Sequence, residues 1–103
     1  MALIWERHPN GIMKVYGTVT KTLNITTASG QLYYSYTGAM PFPVPFSAVP
    51  FNININASSE SMNITHISAY RYDQTGVTEA QVSCTSSRSN NINRFDIMAV
   101  GLW

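Results

Sequence analysis

The sequence predicts an all-β protein: a small antiparallel β-sandwich of about six strands, in one domain spanning residues 1–103. Composition is the first reason. Val, Ile, Thr, Tyr, Phe and Trp supply 38 of the 103 residues, against 9 for Leu, Glu and Lys. β-Branched and aromatic side chains fit a pleated surface and lose rotamer freedom in a helix. Alternation is the second. Val49, Phe51, Ile53, Ile55 and Ala57 are apolar, while Pro50, Asn52, Asn54 and Asn56 between them are polar or proline. Five apolar positions at period two mark a strand with one buried face, and a one-residue slip would bury asparagines instead. The third is the short Gly, Asn, Asp and Ser clusters that separate the apolar runs.

The elements follow in order. Residues 1–10 read as a lead-in that ends in a turn at Pro9-Asn10-Gly11. A first strand runs from Ile12 to Thr22, with Met13, Val15, Gly17 and Val19 on one face. Ala28-Ser29-Gly30 reads as a turn, and Leu32 to Tyr36 as a second strand ending near Gly38. Pro41-Phe42-Pro43-Val44-Pro45-Phe46 is an extended connector, because proline cannot donate to a strand ladder. Its two Phe side chains are expected to plug one end of the core. The strand around Ile53 comes next, then a polar loop from Ser58 to Ser61. Met62 and Ile64 open a further strand, in which the apolar phase shifts to Ile67 and Ala69. That shift predicts a β-bulge near Thr65–His66. Asp73-Gln74-Thr75-Gly76 is a turn. Val77 to Thr85 is a strand with Ala80, Val82 and Cys84 inward. Ser86 to Asn91 reads as a polar loop, and the last strand ends at Leu102 with Phe95, Ile97 and Ala99 alternating along it.

Charge narrows the function classes. Six Lys and Arg against five Asp and Glu leave a net charge of +1, and only 11% of residues are charged. Nucleic acid is held by a clustered basic face, which this chain lacks, so no nucleic-acid partner is expected. No stretch approaches the roughly 20 apolar residues of a membrane span, so no membrane insertion is expected. The single cysteine, Cys84, excludes an internal disulfide and a multi-cysteine zinc site. His8 and His66 stand far apart, with no His-x-His or His-Glu-x-x-His spacing, so neither metal nor cofactor is expected. The five carboxylates form no close sequence pair, and no Gly-x-Ser-x-Gly elbow is present. The chain reads as non-enzymatic, without catalytic residues.

Three stretches carry a family resemblance: NGIMKVYGTVT at 10–20, FPVPFSAVP at 42–50 and FDIMAVGLW at 95–103. In that order they resemble the C-terminal tip domains of bacteriophage tail fibres and baseplate receptor-binding proteins. Those domains combine a Gly-ended first strand, an F-P-x-x-F-x-x-x-P segment and a terminal W-I-A-I-G strand. They also resemble the small β-sandwiches of the H-type lectins. The resemblance implies a homotrimeric tip, joined to upstream fibre or baseplate proteins and carried on the phage virion after synthesis in the bacterial cytoplasm. It implies adsorption to a bacterial cell-surface polysaccharide or teichoic acid. Two other readings share the motifs: a purely structural trimerisation module, and a free-standing H-type lectin. The motif residues read as scaffold, so no ligand residues carry over.

Ligand candidates come from the residues themselves. Sugars offer apolar ring faces and hydroxyl edges. Tyr rings cover the first, while Arg, Asp and Asn hydrogen-bond the second. Tyr70, Arg71, Tyr72 and Asp73 combine these groups where a strand meets a turn. Arg88 and Asn90, in the polar stretch 86–91, are the other candidates. Leu102 and Trp103, with no polar tail behind them, are expected to pack against the core or a neighbouring subunit.

Overall fold

The computed structural model describes residues 3–59 and 65–103, which form nine strands and no helix. They are β1 (Leu3–Arg7), β2 (Ile12–Ile25), β3 (Thr27–Ser29), β4 (Leu32–Tyr36), β5 (Met40–Pro41), β6 (Asn52–Ser59), β7 (Thr65–Asp73), β8 (Gly76–Cys84) and β9 (Arg88–Leu102). Two antiparallel sheets form a sandwich measuring 47 × 23 × 16 Å. One sheet is ordered β1-β2-β9-β6. In the other, β8 is central: β4 and β5 share one of its edges, β7 takes the other edge, and β3 pairs with β4.

The core lies between the sheets. Met13, Val15 and Ile25 of β2 and Phe95, Ile97 and Ala99 of β9 face Val77, Ala80, Val82 and Cys84 of β8. Period two holds through most of these strands, as their sequences predict. Phe42 and Phe46 are buried and meet edge to face at 5.4 Å, so the proline-rich segment plugs one end of the core. A Cβ built at Gly101 would lie 2.8 Å from the Phe46 ring and 3.1 Å from Pro50 Cα, so the glycine of the last motif is the seat of the middle one.

The structure corrects several expectations. The lead-in is part of the sheet: Leu3 to Arg7 pair with Gly17 to Met13 as an edge strand. The alternating strand begins at Asn52, and Val49 and Phe51 are 57% and 63% exposed. Pro50 donates nothing to a ladder, and Phe46 already fills the space over Gly101 that an inward Phe51 would need. Ser58 and Ser59 belong to β6, opposite Arg94 and Asn93. The bulge in β7 is at Ser68, between the pairs Ile67–Val82 and Ala69–Gln81. A second irregularity sets Thr78 aside in β8. Met62 and Ile64 lie outside the described residues. The stretch Arg88–Asn91 is strand, pairing with the end of β2 up to Ile25. The inward positions at this end of β9 are Asn91 and Asn93, which satisfy one another: Asn91 Nδ2 donates to Asn93 Oδ1 at 2.9 Å, and Asn93 Nδ2 to the Asn91 carbonyl at 3.1 Å. A polar composition is compatible with an inward face when the amides pair.

Candidate functional site

The outward face of the β8 sheet carries a groove of about 340 Å³, lined by Tyr36, Ala69, Tyr70, Arg71, Glu79 and Gln81. Strand register explains the set. Gln81 of β8 stands between Tyr36 of β4 and Ala69 of β7, and Glu79 stands opposite Arg71 in the next outward row. No β4 residue covers Glu79 on the other side, because the chain leaves the ladder after Thr37. Thr37 N–H donates to the Ala80 carbonyl at 2.9 Å, and its hydroxyl accepts from Ala80 N–H at 3.2 Å. Gly38, at φ 73°, then turns the chain away until Met40 rejoins opposite Val77. The notch between β4 and β5 opens beside Glu79.

The floor is hydrogen-bonded in advance. Ser68, set apart by the bulge, donates to Gln81 Oε1 at 2.9 Å and accepts from the Ser83 hydroxyl at 2.9 Å. Gln81 Nε2 reaches Tyr36 Oη at 3.5 Å. The Tyr36 ring, 52% exposed, is braced edge to face by Tyr34 at 5.7 Å. Two tyrosines, one guanidinium, one carboxylate and one primary amide thus converge on a single groove. That set suits a ligand with an apolar ring face and several hydroxyls.

The candidates from sequence divide. Tyr70 and Arg71 line the groove. Arg71 shares the outward row with Glu79, whereas Tyr70 and Tyr72 stand opposite the buried Ala80 and Val77. Both tyrosines stay partly exposed because β7 is a sheet edge, and their rings lie 6.0 Å apart. Asp73 is committed to the turn. Its carboxylate accepts from the hydroxyl of Thr75 and, at 2.8 Å, from the Thr75 N–H. These bonds, with help from the Gly76 N–H, hold its pKa below the ordinary carboxylate value. Arg88 and Asn90 lie on β9 in the other sheet, beside the end of β2, so the structure does not bring them to the groove. Asn90, at φ 51°, donates its N–H to Asn24 Oδ1 at 2.8 Å. Tyr36, Glu79 and Gln81 escaped sequence reading, since only strand pairing sets them beside Arg71.

The state of Asp73 gives a pH prediction. A depressed folded-state pKa contributes stability above the unfolded value, and that contribution disappears as pH falls through the folded value. Thermal melts from pH 7 down to pH 2 are therefore expected to show a loss for the parent that begins near the ordinary Asp pKa of about 3.9. Asp73→Asn is expected to melt lower at pH 7 and to lose less on acidification.

Among the described residues, no group of three or more His, Cys, Asp or Glu is placed to hold a metal ion. No family model matches the chain, and no curated protein matches it. A solved structure does: the R1 pyocin fibre of P. aeruginosa, a fragment comprising its C-terminal residues 323–701. The TM-score is 0.61 at 12% identity, and the match covers 98% of this chain and 28% of the fibre fragment. The chain therefore spans little more than a quarter of that fibre fragment, and what the two share is the fold.

Proposed function

We propose that this chain is a receptor-binding tip domain of a phage or prophage tail fibre, that it acts as a homotrimer, and that it recognises bacterial surface glycans. The observation that carries the reading is the fold shared over nearly the whole chain with a segment of a pyocin fibre. It agrees with the three tail-fibre-like motifs, two of which meet where Gly101 seats Phe46. The groove of Tyr36, Arg71, Glu79 and Gln81 is the proposed glycan site. Upstream fibre or baseplate proteins are the proposed partners, and the virion the proposed location.

A structural trimerisation module is the second reading, favoured by a different surface. Ile4, Tyr16 and Met98 sit side by side on the outward face of the β1-β2-β9-β6 sheet, all exposed. A subunit neighbour would cover such a row. One experiment separates the two. Light scattering is expected to give three times the 11.4 kDa chain mass. A panel of host surface glycans is expected to bind that trimer, and Tyr36→Ala or Arg71→Gln to weaken binding by about tenfold at unchanged mass. An intact trimer that binds no glycan sinks the adhesive role and leaves the structural one. A monomer at every concentration sinks both.

A further inference from the structure

The chain has two tryptophans, and they meet over one arginine. The Arg7 guanidinium carbon lies 5.2 Å from the ring centroid of Trp5 and 5.0 Å from that of Trp103. Register explains the exposure of this cluster. Trp5 and Arg7 stand opposite Val15 and Met13, both fully buried, but one strand further out at the sheet edge. Trp5 is 41% and Trp103 47% exposed.

Trp103 is held from behind. Trp103 donates its backbone N–H to the Gly11 carbonyl at 3.0 Å and its indole N–H to the His8 carbonyl at 2.9 Å. The β1–β2 turn that offers those carbonyls is itself closed, by His8 N–H to the Ile12 carbonyl at 2.8 Å and by Ile12 N–H to Asn10 Oδ1 at 3.1 Å. The nearest acid in sequence, Glu6, is engaged elsewhere: its Oε1 accepts from Tyr16 Oη at 3.1 Å, and its Oε2 lies 4.0 Å from His8 Nε2. Among the described residues Arg7 makes no hydrogen bond or ion pair, and its only contacts of this kind are the two indoles.

A guanidinium stacked on rings still has its N–H edge to offer, and that edge fits a carboxylate with two parallel hydrogen bonds. An exposed indole face takes the apolar face of a sugar ring. Because the Trp103 ring is already held by its two hydrogen bonds, it loses little side-chain entropy on binding. We propose that Trp5, Arg7 and Trp103 form a second binding site, for an acidic saccharide. The sugar ring lies on an indole and its carboxylate meets the Arg7 edge. This site is on the edge of the sheet opposite the groove and does not depend on the fibre reading.

Tryptophan fluorescence reports on this site directly, since both indoles are in it. The test is a titration with cellobiouronic acid, with cellobiose as the neutral counterpart and with inorganic phosphate as the bare anion. A saturable change with the acidic disaccharide is expected, at least about tenfold tighter than with either control. Arg7→Gln is expected to remove that preference, Arg7→Lys to keep part of it, and Tyr36→Ala in the groove to leave it unchanged, with circular dichroism confirming the fold of each. Arg7→Lys keeps the charge at the sheet edge and supplies the comparison if Arg7→Gln fails to fold. Equal affinity for cellobiose, equal affinity for phosphate, no saturable change, or an Arg7→Gln protein that keeps the parent's preference would each overturn the proposal. In the last case the stack is only a clamp on the chain end.

Discussion

Phe95→Ala is expected to lower folding stability by about 3–5 kcal/mol. Phe95 is fully buried on β9, the strand flanked by β2 and β6, where it stands between Val19 and Ala57. Its loss removes a large apolar surface and leaves a cavity lined by both sheets. Strand backbones held by ladders on two sides relax little into such a void. Since a small domain has only about 5–15 kcal/mol in total, this variant sits near the limit of folding. Phe51→Ala is the control. A strict reading of the alternating pattern gives Phe51 the same weight as Ile53, yet it is largely exposed, so its effect is expected within about 0.5 kcal/mol. Urea titrations of the two variants check both statements. A loss above about 2 kcal/mol for Phe51→Ala would mean that a neighbouring subunit buries it.

Gly76→Ala is expected to be nearly as damaging, for a different reason. Gly76 opens β8 at φ 150°, a conformation that side chains rarely adopt. A Cβ there would sit 2.6 Å from Pro41 Cα, 2.7 Å from the Met40 carbonyl oxygen and 2.9 Å from Phe42 N. All three are backbone atoms, so no side chain can move aside. The expected loss is about 2–4 kcal/mol, from strain and from β5 lifting off β8. The consequence reaches the groove. The notch beside Glu79 is held open between the Thr37–Ala80 bonds and the Met40–Val77 pair, so displacing β5 slackens the loop at Gly38. Thermal melts measure the stability. Titration of the folded fraction with whichever glycan binds the parent is expected to show weaker binding, although Gly76 does not line the groove.

The candidate site was only half legible in the sequence. Arg71 and Tyr70 stand out because aromatic and charged residues alternate at the end of a strand. Their partners do not, because Tyr36, Glu79 and Gln81 are brought to them by pairings across β4, β8 and β7. The groove also needs a gap, and that gap comes from a chain that leaves the sheet for two residues at Gly38 and Ala39. Asp73 shows the opposite error. Its side chain has the chemistry to bind a sugar, but the nearest donors are the hydroxyl and N–H of Thr75, and local bonds within a turn form before any ligand is met.

By itself the sequence determined the all-β class, the buried alternation of β8 and β9, the turn at Gly76 and the two Phe plugs. Each of these depends on local spacing or local turn chemistry, which one chain carries along its length. The tertiary structure decided the rest. It drew Leu3–Arg7 into the sheet as an edge strand, because the neighbouring β2 offered an unpaired ladder. It left Phe51 outside, because Phe46 fills the space over Gly101 that an inward Phe51 would take. It turned a polar stretch at Arg88–Asn91 into strand, because Asn91 and Asn93 could satisfy each other's amides when buried. It also brought Trp103 back to Trp5 and Arg7. In each case the outcome depends on which distant residue occupies a volume or completes a hydrogen bond, and that information appears only when the strands are paired.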